Sequence, residues 1–205
     1  QPRLVLAAFP MVLMGWASCS PSGTGHAALP APRAVDNSVP EYKNPFHPST
    51  YAHFVARKDY RKTYDVYKDD TLLNRQPKKS RKIFVCLDEQ RGQYLVDGLV
   101  AMDFPLSSGV KAYPTKTGDY AVISKKEDHT SNLYGKMYDA EGKCINYNAE
   151  STDPIPEGGR FDGSPMPYWQ RLTNAGLGLH VGKVRRHPVS HGCVRLPRNV
   201  AEILY

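Results

Sequence analysis

The chain has 205 residues, room for one good-sized domain with extensions, and its 27 Lys and Arg against 20 Asp and Glu give a formal net charge of +7. That charge suits anionic surroundings such as a cell wall or a lipid headgroup layer. No reader motif for nucleic acid accompanies it, so a nucleic-acid partner is not expected.

The sequence opens at Gln1 without Met and reads as a processed or incomplete copy of its gene product. Arg3 precedes an apolar run from Leu4 to Ala17, broken by Pro10, which is short for a membrane span and suits the core of an export signal. Trp16-Ala17-Ser18-Cys19 is similar to a lipoprotein processing site, with Cys19 as the candidate for lipidation and a membrane tether. Three readings stay open for residues 1–19: lipidation, ordinary secretion, or a buried apolar segment. The first two place the protein outside the cytoplasm, in the periplasm or cell envelope.

Residues 20–48 are rich in Ser, Pro, Ala and Gly and poor in large apolar side chains, so they read as a linker. From Ser49 to Arg81 the chain is rich in Tyr, Lys and Asp, with Leu72 and Leu73 too isolated to define a helix face; residues 20–81 are therefore taken as linker and basic extension. Strand signals begin at Ile83–Leu87, continue at Tyr94–Val96, and pass through Asp97-Gly98, a hairpin dipeptide, into Leu99–Leu106. Further turn and strand alternation to Ser124 argues for a mainly antiparallel β meander rather than a βαβ sheet. Residues 125–165 are polar and broken by Asp153-Pro154 and Gly158-Gly159, so a long loop is expected there. The end predicts a helix, with Asn199 as cap, Glu202 at the capping-box position, and Val200, Ile203 and Leu204 on one face.

The chemistry concentrates in Leu179–Pro197, L-H-V-G-K-V-R-R-H-P-V-S-H-G-C-V-R-L-P. Cys193 follows Gly192 and stands among His180, His187 and His191, with Arg185, Arg186 and Arg195 adding positive charge. A free thiol has a pKa of about 8.5, and neighbouring positive charge favours the thiolate. A histidine in reach can take the thiol proton and return it to a leaving amine, which is the minimum for acyl transfer. The N–H groups of Gly192 and Cys193 are candidates for an oxyanion hole. Four zinc ligands could be drawn from the same residues, but the chain has no paired C-x-x-C, and one Cys on a Gly turn beside a histidine suits acyl transfer better. His187, before Pro188, reads as a surface residue. Arg195 alternates with Val194 and Leu196; it could hold a substrate carboxylate or pair with an acid of the domain.

S-H-G-C-V-R-L with G-L-H upstream resembles the signature of the L,D-transpeptidases, the YkuD-type enzymes that cross-link bacterial peptidoglycan through a cysteine. Pro114-Thr115-Lys116-Thr117-Gly118 resembles that family's P-T-P-x-G turn, and Met166-Pro167-Tyr168-Trp169 its M-P-Y segment; the resemblance covers about residues 82–205. It implies Cys193 as nucleophile, His180 as proton acceptor and donor, and His191 as support. From the residues themselves Gly192 is the candidate oxyanion support, Ser190 with His191 would hold the turn, and Arg195, Ser190 and Tyr168 are candidate substrate contacts, Tyr168 and Trp169 being equally candidates for core or groove wall. The resemblance also implies tetrapeptide stems of peptidoglycan as partners, an amine of a second stem or of a lipoprotein as acceptor, and no metal or organic cofactor. Residues 125–165 would be the lid, and a further strand would follow Tyr205, so the domain is expected to be truncated. Two other readings stay open: an L,D-carboxypeptidase or cross-link hydrolase on the same scaffold, and a non-catalytic wall-binding module. A Cys86–Cys144 bridge is a further candidate in an oxidising compartment.

Overall fold

A computed structural model describes residues 3–7, 43–76 and 80–205, the first five through their backbone. Cys19 and nearly all of the linker lie outside the described residues.

A meander forms the heart of the fold. β1 is Arg3–Ala7; β2, Tyr67–Lys68; β3, Arg81–Cys86; β4, Arg91–Val96; β5, Leu99–Pro105; and β6, Gly118–Ala121. These join in the order β2-β5-β4-β3-β1-β6, antiparallel except where β1 runs parallel to β3. Alternation sets which residues face inward: Ile83 and Val85 from β3, Tyr94 and Val96 from β4, Met102 and Phe104 from β5 are all buried. Asp97-Gly98 turns β4 into β5 with positive φ at both residues, 52° and 87°, the backbone that an Asp-Gly hairpin favours.

A second sheet runs β13-β12-β11-β7, where β7 is Ser124–Lys126, β11 Trp169–Arg171, β12 Gly178–Val181 and β13 Val194–Leu196. Leu179, Val194 and Leu196 enter one continuous core with the meander residues. The fold is thus mainly β with antiparallel sheets, as the sequence predicts, and β12 with β13 is a parallel pair within it.

The expected loop over 125–165 is instead largely a third sheet, β10-β8-β9, made of Thr130–Tyr138 (β8), Cys144–Glu150 (β9) and Arg160–Pro165 (β10). Its strands expose most of their side chains, so no period-2 apolar signal marks them, and a main-chain ladder holds them instead. The three described cysteines, Cys86, Cys144 and Cys193, are free, so the candidate Cys86–Cys144 bridge does not form.

Residues 43–76 carry two one-turn helices that periodicity could not reveal. α1, Tyr51–Val55, is capped by Thr50; α2, Asp70–Leu73, is capped by Asp69. Leu72 and Leu73 of α2 pack against the core, while α1 lies over the Asp103 side of β5. There Asp103, fully buried, takes 2.7 and 2.8 Å hydrogen bonds from the Tyr51 and Tyr60 hydroxyls and pairs at 2.6 Å with buried Arg91. Arg91 in turn lies over the rings of Phe54 and Tyr60. Burial and the carboxylate together push the Tyr60 hydroxyl up to about 12.

The closing helix α3, Arg198–Leu204, begins after Pro197 with no side-chain cap, so Asn199 does not cap it; Glu202 lies 3.6 Å from Arg198. Val200, Ala201 and Leu204 are buried, whereas Ile203 is 39% exposed, because residues 200, 201 and 204 set the stripe and 203 lies beside it.

Asp103→Ala leaves Arg91 charged and buried without its carboxylate, and is expected to cost about 3–5 kcal/mol in urea unfolding. Asp65→Ala, which removes an exposed partner of Arg57, is expected to cost less than about 1 kcal/mol in the same assay.

Candidate functional site

The parallel register of β12 and β13 sets Leu179 beside Val194, His180 beside Arg195 and Val181 beside Leu196. Leu179 and Val194 belong to the core, so His180 and Arg195 project from the opposite face of the sheet. Cys193 immediately precedes β13; continuing the register sets it beside Gly178, a diagonal neighbour of His180 with α-carbons about 8 Å apart from strand spacing and rise. Trp169 of β11 shares that face, its ring 6.0 Å from the His180 ring and against Gly178, where a side chain would collide with it.

The cysteine turn is clamped by the chain that leaves β5. Ser107 exchanges two main-chain hydrogen bonds with Arg195, of 2.8 and 3.1 Å; Ser108 O accepts from the N–H groups of Val189 and Ser190; and Val110 N–H donates to Ser190 O. Buried Ser190 donates its hydroxyl to Cys193 O at 2.5 Å and accepts the Gly192 N–H at 3.2 Å. Thr115 donates to Gly192 O at 2.6 Å while accepting the Gly109 N–H at 2.8 Å. Gly192 has φ of 111°, which a side chain tolerates poorly, and Gly109 lies so close that a Cβ there would meet Tyr113 O at 2.0 Å and the Gly192 α-carbon at 2.8 Å.

Thr115 and Gly109 are functional candidates that sequence reading passes over. The P-T-x-T-G and S-S-G stretches mark both as turns, but nothing local reveals that the two turns meet at residue 192.

The electrostatics differ from the expected resting thiolate. Burial pushes the Cys193 thiol up, opposed by a hydrogen bond from the Gly178 backbone and by the charge of Arg195. The protonated thiol donates to Gly176 O at 3.3 Å. His180, 6% exposed, is lowered to about 4, first by burial and then by the charges of Arg195 and His129. Its Nδ1 lies 2.8 Å from Val181 O, and since a carbonyl only accepts, Nδ1 carries the proton and Nε2 the lone pair. At neutral pH both partners are uncharged, because the same sheet that aligns them also removes them from water.

Among the described residues His191 makes ring contacts rather than hydrogen bonds. Its exposed ring stacks on Tyr134 of β8 at 4.2 Å and lies 4.8 Å from Tyr113, joining the cysteine turn to the third sheet. His187 is exposed in the loop before the turn, 3.3 Å from its neighbour Pro188 O. Tyr168 turns toward α3, with its ring 5.5 Å from Tyr205 and beneath Arg198, while the next residue, Trp169, faces the cysteine side. Cys193, His180, Arg195, Ser190 and Gly192 therefore come together with His191 at the rim, and Tyr168 stands apart.

A scan against models of protein families matches residues 80–205 to the L,D-transpeptidase catalytic domain, YkuD. No curated protein matches the chain. Among solved structures, it is similar to an L,D-transpeptidase from Stackebrandtia nassauensis at 23% identity and TM-score 0.44, covering 75% of this chain and 60% of that one. It is also similar to the catalytic domain of an Enterococcus faecium L,D-transpeptidase at 28% identity and TM-score 0.43, covering 61% and 87% respectively.

Two outcomes test the site's construction. Gly109→Ala is expected to displace residues 191–193 and to change how fast iodoacetamide labels Cys193, while Gly142→Ala, in an open turn, leaves the rate unaltered. His180 contributes a pH dependence of stability whose sign follows from its lowered pKa: between about 4 and the ordinary 6.5 the unfolded imidazole binds a proton that the folded one refuses. Stability is therefore full above pH 6.5 and falls by about 3 kcal/mol as pH drops to about 4. Urea midpoints across that window check it, with His180→Gln expected to flatten the slope.

Proposed function

The chain belongs to the L,D-transpeptidase catalytic-domain family, and from that premise we propose that it is an exported cysteine enzyme acting on peptidoglycan stem peptides. The observation that supports the reading is the β12–β13 register, which sets His180 beside Arg195, two residues after Cys193, with the imidazole neutral and its Nε2 lone pair unspent on Val181.

Acylation follows from that state. The thiol exchanges Gly176 O for the His180 ring, its proton passes to the imidazole, and Sγ bonds to the carbonyl carbon of the residue before the terminal D-amino acid. The C–N bond breaks, and the leaving amine takes the proton from His180. A thioester remains, which an incoming amine resolves with the same proton moves in reverse order.

Because both partners start neutral, the proton moves as the C–S bond forms, with no standing ion pair. The tetrahedral oxygen is held at the cysteine turn. Gly192 N–H is already given to Ser190, so the Cys193 N–H is the donor of the pair that remains for it. His191 and Tyr134 form the aromatic rim through which a stem enters, and Ser190 and Thr115 keep the turn rigid.

Incubation with a tetrapeptide stem donor, followed by intact mass and peptide mapping, is expected to show one acyl adduct on Cys193. Cys193→Ala abolishes it with folding preserved, and His180→Ala slows its formation roughly 10²–10⁴-fold. Added amine acceptor converts the adduct into a cross-linked product. An adduct at another residue, or none on folded protein, rejects the proposal.

A further inference from the structure

Arg195 is an unusual cation for its place. It stands two residues after the cysteine, partly buried, and its stem lies across Gly182, where Cγ and Cδ would come within 2.8 Å of a Cβ. That route keeps the stem on the face that His180 shares. The β12–β13 register sets Arg195 directly beside His180, and its charge reaches the Cys193 thiol and the rings of His180 and His191. Among the described residues no carboxylate pairs with it, whereas buried Arg91 has Asp103 and half-buried Arg57 has Asp59 and Asp65. An arginine drawn out of water without an acid of its own favours a carboxylate that arrives with a ligand.

The ligand that fits is set by the chemistry of the transfer proposed above, on which this inference rests. A leaving terminal amino acid carries its carboxylate on the carbon bonded to the departing nitrogen. When Sγ attacks the carbonyl, that carboxylate is only a few bonds from the sulfur. We infer that Arg195 grips the carboxylate adjacent to the reacting nitrogen, and so selects donors that end in a free carboxylate. The incoming nitrogen occupies the place the leaving one vacates. The same grip therefore favours acceptors whose amine stands next to a carboxylate over simple alkylamines.

Arg195 is here a specificity residue; Cys193 and His180 make and break the bonds. His180 is neutral at working pH, so it does not supply the attraction. Other cations lie farther along this side of the sheet: Arg171, whose guanidinium lies 5.9 Å from the Trp169 ring centre, two strands away from β13, and Lys126 of β7, paired with Trp169.

Two alkylating agents of equal reach, one anionic and one neutral, isolate the grip. Iodoacetate and iodoacetamide both form an Sγ–C bond, expel iodide and release the thiol proton. The ratio of their rates at Cys193, compared with that at a free cysteine, cancels the thiolate fraction. The wild-type protein is expected to favour iodoacetate by about tenfold or more over the free-cysteine ratio. Arg195→Gln removes the preference, Arg195→Lys restores part of it, and Arg171→Gln retains it. A stem donor ending in a carboxamide is expected to acylate Cys193 about tenfold more slowly than the carboxylate, chiefly through KM. A stem amidated only on an internal side chain behaves as the unmodified donor.

A preference that survives Arg195→Gln overturns the assignment, as does equal acylation by carboxylate-ended and carboxamide-ended donors. Loss of rate only with the internally amidated donor moves the grip to a side-chain carboxylate and overturns the terminal assignment. Should Cys193 keep the iodoacetate preference yet form no thioester with any donor, the carboxylate grip stands and the transfer reading above falls.

Discussion

The structure depends on a main-chain clamp between the segment leaving β5 and the residues around Cys193. Ser107 with Arg195 and Gly109 with Ser190 form isolated bridges that join the six-stranded and four-stranded sheets at one point. Glycine is needed at 109 because the backbones approach too closely for a side chain, while the hydroxyls of Ser107 and Ser190 bond main-chain groups of the turn and of the loop before it. The reacting sulfur thus rides on a turn held from three directions: by Ser107–Gly109, by Thr115, and by Ser190 within the turn itself. Its geometry is set by hydrogen bonds from buried Ser190 and Thr115 side chains, and buried polar groups are costly to leave unpaired.

That rigidity sets the chemistry. A sheet face that excludes water lowers the basicity of His180 and raises the thiol, so the pair rests uncharged. Burial opposes Arg195 here: one guanidinium beside the sulfur does not offset the loss of solvent around it. Reactivity then comes from alignment and from proton transfer during bond formation. Arg195 is the lasting charge in the site, which is why its lack of an acidic partner matters for what binds.

The remaining elements serve this centre at a distance. Residues 43–76 shield the outer face of β5 through the Asp103–Arg91 pair and its tyrosines, and Arg186, from the loop leading to the cysteine turn, donates at 2.7 Å to Thr63 O in the same layer. The extension is therefore joined to the loop that leads to the site. On the other side, His191 on Tyr134 links the turn to an exposed sheet with few buried side chains, the part of the fold with least core beneath it.

What the sequence determined by itself is local: the alternation of Ile83, Val85, Tyr94 and Val96, the Asp97-Gly98 turn, and the S-H-G-C signature with His180 on a strand that precedes it. Each is written in neighbouring residues, through side-chain period or a backbone preference. Only the tertiary structure decided that β12 and β13 run parallel, so that residues 180 and 195 stand side by side, and that Thr115 and Gly109 meet Gly192. The strands of the third sheet and the short helices α1 and α2 were equally hidden. Their side chains face water or find partners dozens of residues away, which leaves no periodic pattern in the chain. The protonated resting thiol belongs here too, because burial is a property of the assembled sheets and no local arrangement of charged residues reveals it.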